Sequence, residues 1–150
     1  MSIRNQKGLA AIELTLILPF LLLIVFATAE FGRMLYQYNA LNHLTRDALR
    51  YAVHDVVDGD TGIVTNDTIS LISARSRNLL FYGQNSTDTE VLPGLSSATV
   101  SIVPHNSNFV TITVSYDWQP IFFDSMPSFV STDSFDLTFP LVVNYTMRAL

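Results

Sequence analysis

The chain contains no cysteine. That excludes a disulfide framework, a thiolate metal site and a cysteine nucleophile. Positive charge is also scarce, with eight Lys and Arg against thirteen Asp and Glu and a net charge of −5. Beyond residue 50 the only basic side chains are Arg75, Arg77 and Arg148. Nucleic-acid binding needs clustered Lys and Arg to displace counterions, so no nucleic-acid partner is expected. The three histidines, His43, His54 and His105, lack metal-ligand spacing. There is no Gly-x-Ser-x-Gly elbow, phosphate loop or His-Glu-x-x-His motif. An enzyme, a metal site and a cofactor are therefore not expected.

What is abundant is apolar sequence near the N-terminus. From Leu9 to Ala29 the only ionisable side chain is Glu13. At ~1.5 Å per residue this 21-residue run measures about 31 Å, a match to a hydrocarbon core of ~30 Å. Arg4 and Lys7 precede it, a short basic head of the kind retained on the cytoplasmic side. A carboxylate at the centre of a membrane helix costs about 2.5–3.5 kcal/mol, so an unpaired Glu13 reads as functional. Ala27-Thr28-Ala29 fits a signal-peptidase site, which supports a secretory signal peptide as one alternative. Such peptides usually have an apolar core of about 7–15 residues, shorter than this one. A plain membrane anchor, the other alternative, leaves Glu13 unexplained. Pro19 removes the bond to the Thr15 carbonyl, which membrane helices tolerate.

No Gly or Pro interrupts the chain between Gly32 and Gly59. Phe31, Met34, Leu35, Tyr38, Leu41, Leu44, Ala48 and Ala52 recur at steps of three and four, an amphipathic stripe. Arg33, Gln37, Asn42, Arg46, Asp47 and Arg50 are expected on the opposite surface. One helix from Leu9 to about Val53 follows, half in lipid and half serving as the seat of a small domain.

A basic leader, Gly8 and a Glu five residues later resemble a type IV prepilin. The likeness sharpens with Gly8-Leu9-Ala10-Ala11-Ile12-Glu13, Leu18-Pro19-Phe20-Leu21-Leu22-Leu23 and Glu30-Phe31-Gly32-Arg33. Asn39-Ala40-Leu41 and Arg46-Asp47-Ala48-Leu49-Arg50-Tyr51-Ala52 continue the series. Together these blocks resemble the TadE-like family, the minor pseudopilins of tight-adherence (Tad/Flp, type IVb) pilus systems. The rest of the chain follows the family only in outline, and both a TadE and a TadF member remain readings. The resemblance implies a leader over residues 1–8, a transmembrane helix over 9–29 and a periplasmic pilin-like domain over 30–150. It further implies cleavage by a prepilin peptidase between Gly8 and Leu9, and use of Glu13 in filament assembly. Implied partners are other pilin subunits, the assembly machinery, the peptidase and the inner membrane, with a role in pilus assembly and surface adhesion. A membrane-anchored or secreted periplasmic binding domain, unrelated to a filament, is the alternative function.

The distal region reads by pattern. Asp58-Gly59-Asp60-Thr61-Gly62 is a turn cluster that should end the long helix; it lacks the remaining ligands of a calcium loop. Asn66 or Asp67 can cap a second helix stopped by Gly83, with Arg75 and Arg77 solvated on it. Residues 84–97 read as a polar loop. Val100 and Ile102, then Val110, Ile112, Val114 and Tyr116, then Leu137, Phe139, Leu141, Val143 and Tyr145 alternate with mostly polar neighbours. These are three antiparallel strands, the first two a hairpin around 104–108. Pro140 places the last strand at an edge or at a bulge. The fold class is α+β, a long N-terminal helix packed on a small antiparallel sheet. Trp118, Ile121, Phe122, Phe123, Met126 and Phe129 crowd a Pro-punctuated loop, either covering one end of the core or forming a contact patch.

Overall fold

The computed structural model describes residues 3–55, 64, 66–83, 89–106, 108–122, 124–127 and 133–149. Helix α1 (Ile3–Asp55) runs for 53 residues, about 80 Å at ~1.5 Å per residue, and Pro19 lies inside it without ending it. The proposed turn at 58–62 falls outside the described residues. Helix α2 (Asn66–Tyr82) stops at Gly83, whose φ of 68° is the left-handed conformation a glycine allows. The Gly83 N–H donates to the Leu79 carbonyl at 2.9 Å and closes the helix end.

Strands β1 (Thr99–His105), β2 (Phe109–Trp118) and β5 (Phe139–Arg148) form an antiparallel sheet in the order β1-β2-β5. The hairpin loop is tighter than the sequence suggests. Pro104 and His105 pair with Val110 and Phe109. Asn106, at a φ of 58°, supplies the left-handed turn residue, a conformation in which Asn is tolerated. Pro140 lies opposite Asp117 on β5, an edge strand, so its missing N–H breaks no ladder. Leu137 lies outside that strand, and Phe139 at its start is exposed.

The alternation on β2 is realised as expected, with Val110, Ile112, Val114, Tyr116 and Trp118 all buried. Leu41, Ala48, Leu49 and Ala52 of α1 join them, with Ile69, Ile72 and Leu80 of α2 and Leu141 and Val143 of β5. The helix stripe and the sheet face thus make one core, the α+β arrangement. Residues 89–97 are more than a polar loop. Leu92 and Leu95 are buried in the core, and a single 3₁₀ turn (Leu95–Ser97) follows Gly94 at a φ of 74°. The Ser96 hydroxyl, then the N–H groups of Gly94, Leu95 and Ser96, hold the Glu90 carboxyl below its ordinary value. Arg77 is exposed, yet donates to the Val100 carbonyl at 3.2 Å and ties α2 to β1.

Past β2 the sequence pattern predicts a loop. The structure has a two-stranded ribbon there, β3 (Ser125–Pro127) antiparallel to β4 (Ser134–Asp136). Asp136 accepts from the Thr138 hydroxyl at 2.6 Å and the Thr138 N–H at 2.8 Å. Those bonds hold its carboxyl below the usual range.

The core elements all lie beyond the apolar run, so a fragment of residues 28–150 is expected to fold as a soluble monomer. Within it, burial pushes the Tyr116 phenol above its ordinary value. The neutral phenol donates to the Pro93 carbonyl at 2.8 Å. A raised phenol contributes stability that is fully present below about pH 10, its unfolded value, and is lost as pH rises through the folded value. Tyr116→Phe should cost about 0.5–1.5 kcal/mol at neutral pH and make the alkaline loss of stability shallower. Urea unfolding of both fragments at neutral and strongly alkaline pH checks this.

Candidate assembly site

Gly8, Leu9 and Glu13 all lie on α1 and are exposed. Gly8 is helical, and a Cβ built on it would meet nothing within 4 Å. Its glycine is therefore not demanded by packing within the chain. Leu9 and Glu13 stand four residues apart, about 6 Å along the axis and on the same face of the helix. Among the described residues Glu13 has no hydrogen-bond or ion-pair partner. No residue in the most apolar part of α1 is fully buried within the chain, and α1 is long and apolar enough to cross a membrane.

A second constellation stands where the apolar run ends. Glu30 is only 8% exposed and its Oε1 accepts from an Arg33 guanidinium nitrogen at 2.5 Å. The same oxygen accepts the backbone N–H of Ile121 at 2.9 Å, 91 positions away. Arg33 also donates to the Gln119 carbonyl and lies 5.3 Å from the centre of the Trp118 ring. Together the pair fastens the chain leaving β2 to the exit of the apolar run. Gln37, one turn further, is 5% exposed.

This corrects the sequence reading of the helix. Arg33 and Gln37 were expected on the polar surface, yet they face the domain, while Phe31 is 58% exposed and Leu35 and Tyr38 are also exposed. The buried stripe, set by Leu41, Ala48 and Ala52, runs back to Met34 and Glu30 rather than to Phe31 and Leu35. A step of 3.6 residues extended from the core gives that phase.

The aromatic loop divides. Trp118 is buried, stacked obliquely with Phe139 at 5.5 Å. Ile121 and Phe122 are exposed, and Phe122 stacks on Phe26 of α1 at 4.9 Å. Phe123 and Phe129 lie outside the described residues, as does the side chain of Met126.

Comparison with known proteins bears on the helix. Residues 8–50 match the family model of TadE-like proteins. The match covers Gly8, Leu9, Glu13 and the Glu30–Arg33 pair. It stops short of α2 and the sheet. No curated protein and no solved structure matches the chain. Glu30 and Arg33 stand in one of the blocks that carry the resemblance, but nothing in the sequence signals their partners. A Glu and an Arg three apart are common on helices, and their acceptor and donor groups on the backbone are far away in sequence.

The clamp is partly offset by unsatisfied atoms, since Glu30 Oε2, Arg33 Nε, Gln37 Oε1 and Trp118 Nε1 lack partners among the described residues. Arg33 also retains access to water. Glu30→Ala should therefore destabilise the 28–150 fragment by about 1–3 kcal/mol, less than a fully buried pair. Glu30→Gln, whose amide oxygen still accepts from Ile121, should lose less. Urea midpoints of the three proteins give the order; equal stability would remove the clamp's role.

Proposed function

We propose that this chain is a minor pilin, or pseudopilin, of a tight-adherence type IVb pilus, acting in pilus assembly and surface adhesion. In this reading residues 9–29 cross the inner membrane once and residues 30–150 form the periplasmic domain. Arg4 and Lys7 hold the leader on the cytoplasmic side, where a prepilin peptidase cuts between Gly8 and Leu9. The observation that carries the reading is Glu13, an exposed carboxylate without a partner among the described residues, inside a bilayer-length run matched by the TadE-like family. In lipid such a group persists where a partner awaits it. Other pilin subunits and the assembly machinery are the partners this implies.

The N-terminus of the mature chain tests it. The chain is expressed with a prepilin peptidase, and its membrane fraction is read by intact mass and N-terminal sequencing. A start at Leu9 supports the pilin. A start at Glu30 would mean a secretory signal peptide and a released binding domain, and an uncut leader a plain anchor.

A further inference from the structure

We propose that the Ile121–Phe122 tip is a second membrane contact, lying in the lipid headgroup region of the leaflet nearest the folded domain. The inference rests on residues 9–29 spanning the bilayer, as proposed above. Its geometry comes from the clamp. Phe122 stacks face to face on Phe26, with ring centres 4.9 Å apart and planes 25° from parallel. Phe26 belongs to the apolar run, one helical turn (about 6 Å) before Glu30. The tip therefore reaches back along α1 below the point where the first charged residue after the run appears.

Its surface suits that position. Ile121 is 70% exposed and Phe122 46% exposed, and from Trp118 to Phe123 the sequence carries no charge. Exposed apolar side chains such as Phe and Leu on interfacial segments bury about 5–10 Å into the boundary between headgroups and acyl chains. The tip is also held in place. Ile121 is fixed through its N–H on Glu30, and Gln119 through its carbonyl on Arg33. Trp118, immediately before, is anchored in the core. The exposed apolar surface of the tip is continuous with that of the helix beside it, and lipid is the occupant common to both. A second contact beside α1 would fix how the domain sits over the bilayer, which one helix alone leaves free to swivel.

The absence of cysteine makes the test clean, because a single introduced thiol can be labelled. Full-length Ile121→Cys, Leu21→Cys and Val103→Cys chains are labelled with the dye NBD. Each is reconstituted at high dilution in phosphatidylcholine–phosphatidylglycerol vesicles. Nitroxides are then placed on the lipid, either near the headgroup or deep in the acyl chain. Val103 is exposed on β1 at the end of the sheet remote from Trp118, and should not be quenched by either. Leu21, mid-run, should be quenched by the deep nitroxide. Ile121 should lose most of its emission to the shallow nitroxide and show a blue shift. Quenching at Leu21 without quenching at Ile121 would overturn the membrane-contact proposal alone. A blue shift at Ile121 without lipid quenching would overturn it in favour of a loop covered by another protein copy. An unquenched Leu21 would remove the spanning helix, and the loop contact with it.

Discussion

Gly8→Leu is expected to leave the chain at full length in the membrane when a prepilin peptidase is present. Gly8 lies inside a continuous helix, whereas a protease must hold the scissile bond in an opened backbone. Glycine weakens a helix by roughly 0.5–1 kcal/mol relative to alanine and lets the peptidase approach the backbone closely. Leucine reverses both effects. Each ~1.4 kcal/mol of lost fit in the transition state slows the cut tenfold, so a clash costing about 3 kcal/mol slows it more than a hundredfold and leaves most chains uncut. The chain itself has room for the new side chain, with nothing within 4 Å of a Cβ at Gly8. A processing defect would therefore arise in the peptidase site and not from misfolding. Gly32→Ala, at an equally open helical position, serves as the control and should mature normally. The readout is the mass lost with the leader. Normal maturation of Gly8→Leu would remove the prepilin reading.

Glu13→Ala should insert and be cleaved, because neither step needs the carboxylate, yet fail to enter a pilus. Cleavage after Gly8 would create an α-amino group on Leu9, which ordinarily titrates near about 8 and is mostly charged at neutral pH. Inside an apolar bundle, that amine and the Glu13 carboxylate of a neighbouring subunit would each be costly alone and would offset one another as a pair. Removing one member of such a pair costs about 3–5 kcal/mol, which corresponds to roughly a hundredfold or more in association. The pair also specifies register, since one axial offset between helices satisfies both charges. Glu13→Gln, which keeps shape and loses charge, should fail as Glu13→Ala does if the ionic pair is what matters. Pilus yield and co-purification with the other pilins, compared across the three chains, give the answer. Unchanged assembly in both variants would mean that Glu13 reaches water at the headgroups and is merely tolerated.

Features that depend on near neighbours along the chain are legible in the residues alone. A 21-residue apolar run with one carboxylate is visible without a fold, because lipid acts on each residue separately. Glycine at 83 marks the end of α2, since only the local backbone decides whether a positive φ is tolerated. Two-residue alternation located β1, β2 and the edge strand β5, whose Pro140 follows from a missing donor. Gly8, Leu9 and Glu13 are proposed on the same local grounds, spacing and the family likeness.

Tertiary structure decided which side of each element faces inward. Period 3.6 predicts a stripe but not its phase near a helix end, where Phe31 and Leu35 compete with Glu30 and Gln37 for the buried side. The choice fell to the polar side chains because the chain leaving β2 offers Glu30 the N–H of Ile121 and offers Arg33 the carbonyl of Gln119. Those groups lie about ninety positions away, beyond the reach of any local pattern. The same distance hid the burial of Leu92 and Leu95 in an apparently polar loop, and the division of one aromatic cluster into buried Trp118 and exposed Phe122. Hydrophobicity says that such residues seek cover. Only the packed chain says which of them find it within the protein.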